Sequence, residues 1–418
     1  MKANAVVGGA GIAGVSTAFH LCRGGVEDVV LVDLRPPLTL TSDKSTECYR
    51  NWWPNQPMAG LMDRSIDLLE AYAAESGDAF NLTRRGYLFV TADPERLTRM
   101  EADSARMGHL GVDFLPDRGS LRQKFPFLTE KAVGGLHALR AGWFSAQQFG
   151  AWMLTSSPGV KVVRARVTAV ETDNQGVSAV VLDGETRIDT RVFVNAAGPM
   201  LSQVGALLDV ELPVFSEVHL KVGFRDYVGV IARDAPVMIW SDPQYLDWSD
   251  EERSQLERDG RLDLLGEMPA GCHGRPQGGA DSPWLVALWE YHRLVQEPVW
   301  PLPEDRLYPE AVMKGMATMI PGLARYQDRL PQPVVDGGYY TKTRENRPLI
   351  GPLPIEGAYV VGALSGFGVM AAAAAGELAT RHIIGAELPE YSPAFALSRY
   401  DDPTYLAEIE DMTDTGQI

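Results

Sequence analysis

The chain has 418 residues, of which 45% are hydrophobic and 22% charged, and its formal net charge is −17. A chain of this length exceeds what one hydrophobic core usually serves, so two domains are expected. The acidic charge disfavours nucleic acids and anionic membranes as partners, since both would repel the protein at long range. The first predicted strand begins too early to leave room for a signal peptide, and no apolar run is long enough to span a bilayer, so we expect a cytoplasmic protein.

The three cysteines, Cys22, Cys48 and Cys272, form no C-x-x-C pair, so neither a disulfide framework nor a cysteine-based metal centre is expected. Cys272 and His273 are neighbours in the sequence, which is not the spacing of metal ligands. Both lie in the segment 247–281, which is charged at first and then rich in glycine and proline. We interpret this segment as a lid or an interface loop.

The strongest pattern lies near the start of the chain. A short apolar run meets the glycine turn Gly9-x-Gly11-x-x-Gly14, a helical pattern follows at once, and a second apolar run ends at Asp33. Strand, glycine turn, helix and acid in this order form the dinucleotide-binding fingerprint. The glycines allow a tight turn and a close approach to a pyrophosphate, to which the helix N-terminus offers N–H groups. The residues predicted to bind the nucleotide here are Gly9, Gly11, Ile12, Ala13, Gly14, Asp33, Leu34 and Arg35.

This first motif leaves NAD and FAD open, although the acid at its end disfavours NADP, whose 2′-phosphate it would repel. A second glycine turn lies at residues 362–368, between a predicted strand at 358–361 and an alanine-rich helix at about 371–384. The N-terminus of that helix can stabilise negative charge on a ligand. Two such sites in one chain suit a long dinucleotide whose far end is anionic when reduced, which favours FAD.

With the first motif, Asn195-Ala-Ala-Gly198 and Ser365-Gly-Phe-Gly368 in this order, the chain resembles the FAD-dependent amine oxidases of the glycine oxidase, sarcosine oxidase and D-amino acid oxidase superfamily. The resemblance extends over residues 6–384. It implies an α/β plus α+β fold, in which a Rossmann-like FAD-binding domain is interleaved with a substrate domain built on a mixed, mostly antiparallel sheet. We assign residues 1–83, 146–211 and 331–390 to the FAD-binding domain, 84–145 and 212–330 to the substrate domain, and 391–418 to a C-terminal tail.

The resemblance also adds residues to the predicted FAD site. These residues are Ser42, Thr46, Val167, Ala197, Gly198, Gly362, Ser365, Gly366, Phe367, Gly368, Val369 and Met370. The resemblance places Ser42 and Thr46 in the loop that follows the first motif, and Val167 on a strand whose backbone meets the adenine. It places Ala197 and Gly198 in a second FAD-contacting turn. It places Ser365, Gly366, Gly368 and Val369 in the turn and helix start near the flavin pyrimidine.

Three residues are predicted on the substrate side. The segment 46–50 resembles the monomeric sarcosine oxidase segment that ends in a carboxylate-binding arginine, which implies that role for Arg50. Tyr291-His292 resembles a Tyr-His pair at the end of a substrate-domain strand, which implies that His292 faces the flavin and orients the amine. Tyr340 is the third predicted catalytic residue. A loop ion pair for Arg50 and a strand-end histidine without a catalytic role for His292 remain open alternatives.

The chain departs from monomeric sarcosine oxidase at three positions. Gly338 stands where a cysteine carries the flavin covalently, which predicts noncovalent FAD. Leu288 stands where a lysine activates oxygen, and Met370 stands where a lysine shares the substrate carboxylate. These replacements suggest an amine that is larger and more apolar than sarcosine. The aromatic side chains that support this expectation are Trp52, Trp53, Trp289 and Tyr340.

We therefore predict an FAD-dependent enzyme that oxidises the C–N bond of an amine or amino acid, preferably a secondary amine such as an N-substituted glycine. Arg50 would hold the carboxylate, and water would hydrolyse the imine product. Oxygen, reduced to hydrogen peroxide, is the expected electron acceptor, with a quinone or carrier protein as the alternative because of Leu288. An FAD-dependent 2-hydroxy acid dehydrogenase and a non-enzymatic flavoprotein remain the alternative classes.

Overall fold

The computed structural model describes residues 1–53, 55–292, 295–327, 329–410 and 412. Its strands are β1 (Ala5–Gly8), β2 (Val29–Asp33), β3 (Cys48–Arg50), β4 (Tyr87–Thr91), β5 (Val112–Leu115), β6 (Gly134–Ala138), β7 (Ala141–Trp143), β8 (Val160–Arg164), β9 (Val167–Asp173), β10 (Gly176–Leu182), β11 (Thr186–Asp189), β12 (Phe193–Asn195), β13 (Phe215–Arg225), β14 (Val237–Trp240), β15 (Cys272–Pro276), β16 (Trp284–Leu288), β17 (Val334–Lys342), β18 (Leu349–Pro352) and β19 (Ala358–Gly362). Its helices are α1 (Ile12–Arg23), α2 (Gln56–Ser76), α3 (Pro94–Met107), α4 (Arg118–Lys124), α5 (Ala146–Thr155), α6 (Leu201–Gly205), α7 (Asp250–Arg258), α8 (Tyr308–Met319), α9 (Gly368–Ile384) and α10 (Pro403–Glu410). Among these described helices, none has the length and apolar character needed to cross a membrane.

The first glycine turn belongs to a six-stranded sheet in the order β18-β19-β12-β1-β2-β8. Neighbouring strands run parallel, except that β18 and β19 are antiparallel. Helices α1, α2, α5 and α9 pack on one face, and the small sheet β11-β10-β9 covers the other. Because β1 and β2 are covered on both faces, their sequences are continuous apolar runs rather than alternating patterns.

Helices α1 and α9 pack closely because small residues line their contact. The Ser16 hydroxyl donates a hydrogen bond to the Ala372 carbonyl oxygen (2.7 Å), and a Cβ on Gly376 would overlap Ser16. Both helices follow strands of the parallel part of the sheet, whose carboxyl ends meet at one edge. The N-termini of α1 and α9 therefore lie along the same edge.

The second large sheet has eight strands in the order β17-β13-β16-β15-β14-β4-β6-β5, and its pairs are antiparallel except for β4 with β14. The side chains of β13 alternate between the two faces. Val218 and Leu220 join a buried apolar cluster that also contains residues of α8. Glu217 and His219 lie on the opposite face, which we call the polar face of this sheet.

The predicted fold class is confirmed, since a mostly parallel sheet and a mixed, mostly antiparallel sheet alternate along the chain. One assigned boundary differs from the structure. Strand β17 lies within the segment assigned to the FAD-binding domain, yet it pairs along its whole length with β13 of the antiparallel sheet. Gly337 and Gly338, which precede the motif at residues 365–368, therefore belong to the antiparallel sheet.

The interpretation of residues 247–281 as a lid or loop is wrong. The segment contains α7 and β15, and β15 lies between β14 and β16 inside the antiparallel sheet. All five residues of Cys272–Pro276 are buried. Glycine, proline and charged residues favour an irregular segment locally, but pairing with two neighbouring strands outweighs these preferences.

A buried ion pair docks the C-terminal segment. Arg399 donates two hydrogen bonds to Glu345 Oε1, from Nε at 3.0 Å and Nη2 at 2.7 Å, and the two side chains are 4% and 0% exposed. The hydroxyls of Tyr400 and Tyr405 donate to the same carboxylate at 2.8 and 2.9 Å. Much of the predicted tail is thus fixed to the loop before β18, while its residues 411 and 413–418 lie outside the described part of the chain.

Replacing Glu345 by alanine is expected to lower the free energy of unfolding by about 3–5 kcal/mol, because Arg399 is left buried without its carboxylate. Unfolding in denaturant would measure the loss. The double variant Glu345→Leu, Arg399→Met should recover most of it, since an apolar pair removes both buried charges. The control Glu171→Ala breaks an exposed ion pair with Arg187 and should cost less than about 1 kcal/mol. Equal losses in Glu345→Ala and Glu171→Ala would contradict the docking role.

Candidate functional site

A cleft with about 770 Å³ of open space lies at the carboxyl edge of the parallel sheet. Its walls are the turn after β1, the loop after β2, the turn after β12 and the turn after β19. Ligands of open α/β sheets bind at this edge. The predicted FAD-site residues that line the cleft are Gly9, Gly11, Ile12, Ala13, Asp33, Arg35, Ser42, Ala197, Gly198, Gly362, Ser365 and Gly368.

The three glycines of the first turn have different structural roles. Gly9 has a φ of 111°, and a Cβ there would run into the Ala196 carbonyl. A Cβ on Gly14 would overlap the Gly9 carbonyl oxygen. A Cβ on Gly11 would instead meet the Ser42 Oγ at 3.3 Å, on the cleft side of the turn. Gly9 and Gly14 therefore shape the turn, whereas Gly11 leaves room for a ligand.

Asp33 connects the first turn to the loop after β2. Its Oδ2 accepts a hydrogen bond from the Ala10 N–H (2.8 Å), and its Oδ1 accepts one from the Arg35 N–H (2.9 Å). The Ile12 N–H, at the start of α1, donates to the Ser42 Oγ at 2.9 Å. Each carboxylate oxygen keeps a second lone pair, so Asp33 can also accept from a ligand hydroxyl.

A smaller pocket with about 400 Å³ of open space lies between the polar face of the antiparallel sheet and the start of α9. We call it the inner pocket, and it is lined by Thr46, Cys48, Arg50, Trp53, Tyr87, His273, Leu288, Glu290, Tyr340, Gly366, Phe367 and Met370. It shares a wall with the cleft, because Ser365 and Gly368 line the cleft while Gly366 and Phe367 line the pocket. The turn before α9 therefore borders both the cleft and the inner pocket.

Arg50 ends strand β3 and is buried in the wall of the inner pocket. Its Nη1 donates a hydrogen bond to the Trp52 carbonyl oxygen, and its guanidinium lies 4.4 Å from the centre of the Trp53 ring. Burial lowers the pKa of Arg50 to about 10, and the charges of Tyr87 and Glu290 oppose that shift. The side chain is therefore still charged at neutral pH, and the pocket presents a buried cation to an anionic group.

Tyr340 lines the same pocket and brings β17 into the site. Its ring stacks on the ring of His219, with 4.0 Å between the centroids and 21° between the planes. Burial raises the pKa of Tyr340 well above its usual value, and the charge of Glu290 raises it further. The phenol therefore keeps its proton at neutral pH. The structure brings Arg50 and Tyr340 together, as the sequence predicted.

The remaining residues of the predicted FAD site fall into two groups. Those that line the inner pocket are Thr46, Gly366, Phe367 and Met370. Those that line neither the cleft nor the inner pocket are Gly14, Leu34, Val167 and Val369. Gly14 acts through its packing on the first turn, and the side chain of Leu34 is exposed.

The expected position of His292 has to be corrected. Strand β16 ends at Leu288, so the alternation of side chains does not continue as far as His292. His292 Nε2 instead lies 2.7 Å from Asp305 Oδ2, and Asp305 also pairs with Arg261 at 2.9 Å. This group lines a separate cavity on the α8 side of the antiparallel sheet. The structure therefore does not bring His292 together with Arg50.

Two polar residues of the inner pocket, His273 and Glu290, are not identified by the sequence patterns. His273 lies on β15, in the segment interpreted as a lid, and its Nδ1 is 2.7 Å from the Gly271 carbonyl oxygen. Burial lowers its pKa. Glu290 lies two residues after Leu288, and counting with a period of two from Leu288 would have placed it on the same face.

The expectation of a large, apolar amine finds little support in the inner pocket. Arg50, His273 and Glu290 give its lining a polar character. Trp289 lies in the apolar cluster beside α8, where its indole N–H donates to the Pro269 carbonyl oxygen. A ligand with both charged and apolar parts fits this lining better than a purely apolar one, and the size of the amine stays a prediction.

Two cations from the polar face fasten the loop after β2. Arg275 donates to the Thr46 carbonyl oxygen from Nη2 (2.6 Å) and Nε (3.1 Å), and Lys221 Nζ donates to the Ser45 carbonyl oxygen (2.9 Å). The side chain of Arg275 is 2% exposed, so its charge acts where water does not screen it. The loop that carries Ser42 and Thr46 is thereby held between the two sheets.

The sequence matches the family described as "DAO: FAD dependent oxidoreductase" over residues 4–382. Human mitochondrial dimethylglycine dehydrogenase is 26% identical over 256 residues, which cover 57% of this chain and 28% of that protein. The chain thus spans 28% of the length of this curated relative.

Two solved structures share the fold. L-proline dehydrogenase from P. horikoshii has a TM-score of 0.78 and 20% identity, with 96% of this chain and 98% of that one covered. Glycine oxidase from Geobacillus kaustophilus has a TM-score of 0.75 and 16% identity, with 95% and 99% covered. Together with the family match, these structures confirm the resemblance inferred from the three glycine motifs.

The cleft and the inner pocket fit FAD, the cofactor of the matched family. The N-cap residues of α1 and α9 make no side-chain cap bond, and neither helix has an acidic residue in its first turn. The Ile12 N–H is bonded to Ser42, and the other N–H groups of the two first turns can meet the anionic parts of a ligand. Gly11 leaves room for a pyrophosphate, and Asp33 can accept from a ribose hydroxyl. The turn before α9 would hold the flavin end beside the inner pocket.

Gly11→Ala is expected to fold but to bind FAD at least about tenfold more weakly, because the added methyl group occupies space on the cleft side. Gly14→Ala is the matched variant, and it should fold poorly because its Cβ overlaps the Gly9 carbonyl oxygen. Quenching of flavin fluorescence measures the affinity, and circular dichroism measures the fold. Full affinity in Gly11→Ala would contradict the placement of the pyrophosphate, and normal stability of Gly14→Ala would contradict the packing.

Acid denaturation of the loaded protein is expected to release all of the FAD into the supernatant. Gly338 has no side chain that could bond the flavin, and a Cβ there would lie 3.1 Å from Thr41 Cα. Cys48 is a buried thiol of the inner pocket and the alternative attachment point, so Cys48→Ser serves as the control. A yellow pellet that becomes colourless in Cys48→Ser would contradict noncovalent binding.

Proposed function

Because the chain belongs to the DAO family of FAD-dependent oxidoreductases, we propose that it oxidises the C–N bond of an amine that carries a carboxylate. The product is an imine, which water hydrolyses. A secondary amine such as an N-substituted glycine is the preferred substrate. The observation that carries the proposal is the buried guanidinium of Arg50 in a pocket that shares a wall with the FAD cleft.

The names of the similar proteins support this substrate class. Dimethylglycine, L-proline and glycine each place an amine nitrogen on the carbon next to a carboxylate, and the first two are N-substituted. The pocket contains a cation for the carboxylate in Arg50 and an anion for the amine in Glu290.

Arg50 binds the substrate carboxylate through paired, charge-assisted hydrogen bonds, and the burial of the guanidinium strengthens them. Leu288, Phe367 and Met370 close the pocket with apolar surface that excludes water from the reacting carbon. FAD, when bound, supplies the two-electron acceptor. Arg50 and these walls thus orient the carbon next to nitrogen toward the cleft.

Oxygen, reduced to hydrogen peroxide, is the proposed final electron acceptor. Leu288 offers no charge to stabilise reduced oxygen, and this observation favours a quinone or carrier protein as the second candidate.

The proposed location is the cytoplasm, which is consistent with the three free cysteines.

Arg50→Ala is expected to lower kcat/KM for a carboxylated amine by about 100-fold, because a charge-assisted bidentate contact of about 3 kcal/mol is lost. The matched control is the same amine without its carboxylate, whose slower turnover should change by less than about threefold. Arg50→Lys keeps the charge but not the paired geometry, so it should recover part of the loss. Steady-state kinetics with both amines measures these effects. An equal loss for both amines, or no loss for the carboxylated one, would contradict the contact.

A further inference from the structure

A row of charged side chains leads from the inner pocket along the polar face of the antiparallel sheet. Glu290 lines the pocket, and its Oε2 lies 4.0 Å from His219 Nδ1. His219 Nε2 lies 3.3 Å from Glu217 Oε2, and Lys342 Nζ lies 2.6 Å from the same oxygen. We call these four residues the polar row. The alternation of β13 and the pairing of β13 with β17 place Glu217, His219 and Lys342 side by side.

The hydrogen bonds of the polar row fix the tautomer of His219. Burial raises the pKa of Glu217, but hydrogen bonds from His219 and Lys342 outweigh it and hold the pKa at about 2. An ionised carboxylate can only accept hydrogen bonds, so His219 Nε2 must be the donor. Neutral His219 then directs the lone pair of Nδ1 toward Glu290. This buried nitrogen has no hydrogen-bond partner among the described residues.

The 4.0 Å between His219 Nδ1 and Glu290 Oε2 is longer than a hydrogen bond, so a proton passes between them through one bridging water or after a small approach of the Glu290 side chain. With Nε2 as the donor, the carboxylate and Nδ1 present only lone pairs to each other, and a proton on either one makes their hydrogen bond possible. Glu290 reaches the inner pocket, whereas His219 is buried beneath the stacked ring of Tyr340. A proton that enters from the pocket must reach Glu290 first and His219 second.

An amine in water is mostly protonated at neutral pH, since the pKa of an aliphatic ammonium is about 10.4. An ammonium nitrogen has no lone pair, so its C–N bond cannot be oxidised to an imine until the proton has left. Arg50 holds the carboxylate of the proposed substrate, which leaves Glu290 as the anion of the pocket that can meet the ammonium group.

We propose that Glu290 is the base that deprotonates the bound ammonium group, and that His219 is the positioning residue that receives the proton from Glu290. The N–H bond breaks, its electron pair stays on nitrogen, and the proton forms an O–H bond on Glu290. Transfer of this proton to His219 Nδ1 restores the carboxylate. The inference rests on the proposed amine oxidation and adds a step before it.

Charged and titratable groups of several elements lie close enough to Glu290 to interact with it electrostatically. These groups are Arg50 on β3, His219 on β13, His273 on β15, Tyr308 on α8 and Tyr340 on β17. Burial raises the pKa of both tyrosines, so they stay neutral over the range in which the amine is deprotonated. Burial lowers the pKa of His273, which therefore stays neutral at pH 7 and above.

The test is the rate of flavin reduction without oxygen, measured between pH 6 and the pKa of the substrate amine. Glu290→Gln should reduce the rate by about 100-fold at pH 7. The rate should recover about tenfold for each pH unit, because the fraction of amine that arrives already neutral grows by that factor. His219→Gln should show a smaller loss, about tenfold, with the same recovery. A loss in Glu290→Gln that is equal at all pH values, or no loss, would overturn the proposal.

Two controls separate this step from the fold and from the proposed function. His137→Gln changes another buried histidine of the same sheet and should leave the rate unchanged. Acetate has the carboxylate but no amine, so it should change the flavin absorption spectrum with the same Kd in the wild type and Glu290→Gln. If acetate no longer binds to Glu290→Gln, the pH dependence of flavin reduction in His219→Gln becomes the test. A loss of rate in His219→Gln that does not recover with rising pH would then overturn the proposal. Failure of every amine to reduce the wild-type flavin would contradict the proposed function itself.

Discussion

The contact between α1 and α9 is the constraint on which the site depends. Ser16 bonds the Ala372 carbonyl oxygen, and Gly376 brings the two helices within a distance that a larger residue would prevent. Because both helices follow parallel strands, their N-termini lie along one sheet edge, and each offers first-turn N–H groups there, of which the Ile12 N–H is bonded to Ser42. One end of the cleft can thus hold a pyrophosphate, while the other end meets the antiparallel sheet at the turn before α9.

The antiparallel sheet supplies the chemistry of the site through the alternation of its strands. Its α8 side is an apolar core, whereas its polar face carries Glu217, His219 and Arg275. Arg275 fixes the loop that follows β2, so the same face both anchors the cofactor loop and bounds the inner pocket. Because charge is buried at this interface, electrostatic contacts there are stronger than they would be in water.

Local patterns predicted the parallel sheet and the cleft because a buried parallel strand, a glycine turn and a helix start are contiguous in the sequence. Arg50 and Tyr340, both predicted on the substrate side, line the same pocket. The inner pocket was less accessible to prediction, since its residues come from strands that are distant in sequence. The glycine and proline around β15 predicted a loop there, so His273 was not identified. Strand β16 ends at Leu288, and after this end Glu290 lines the pocket whereas His292 does not.

The central claim is that the enzyme acts on the C–N bond of a carboxylated amine. The most direct test mixes the FAD-loaded protein, without oxygen, with sarcosine, longer N-alkyl glycines, D-amino acids and 2-hydroxy acids while the flavin absorption is followed. Bleaching by N-substituted glycines but not by 2-hydroxy acids is the predicted result, and air admitted afterwards would show whether oxygen restores the colour. Bleaching by 2-hydroxy acids alone, or by no compound of the panel, would contradict the claim.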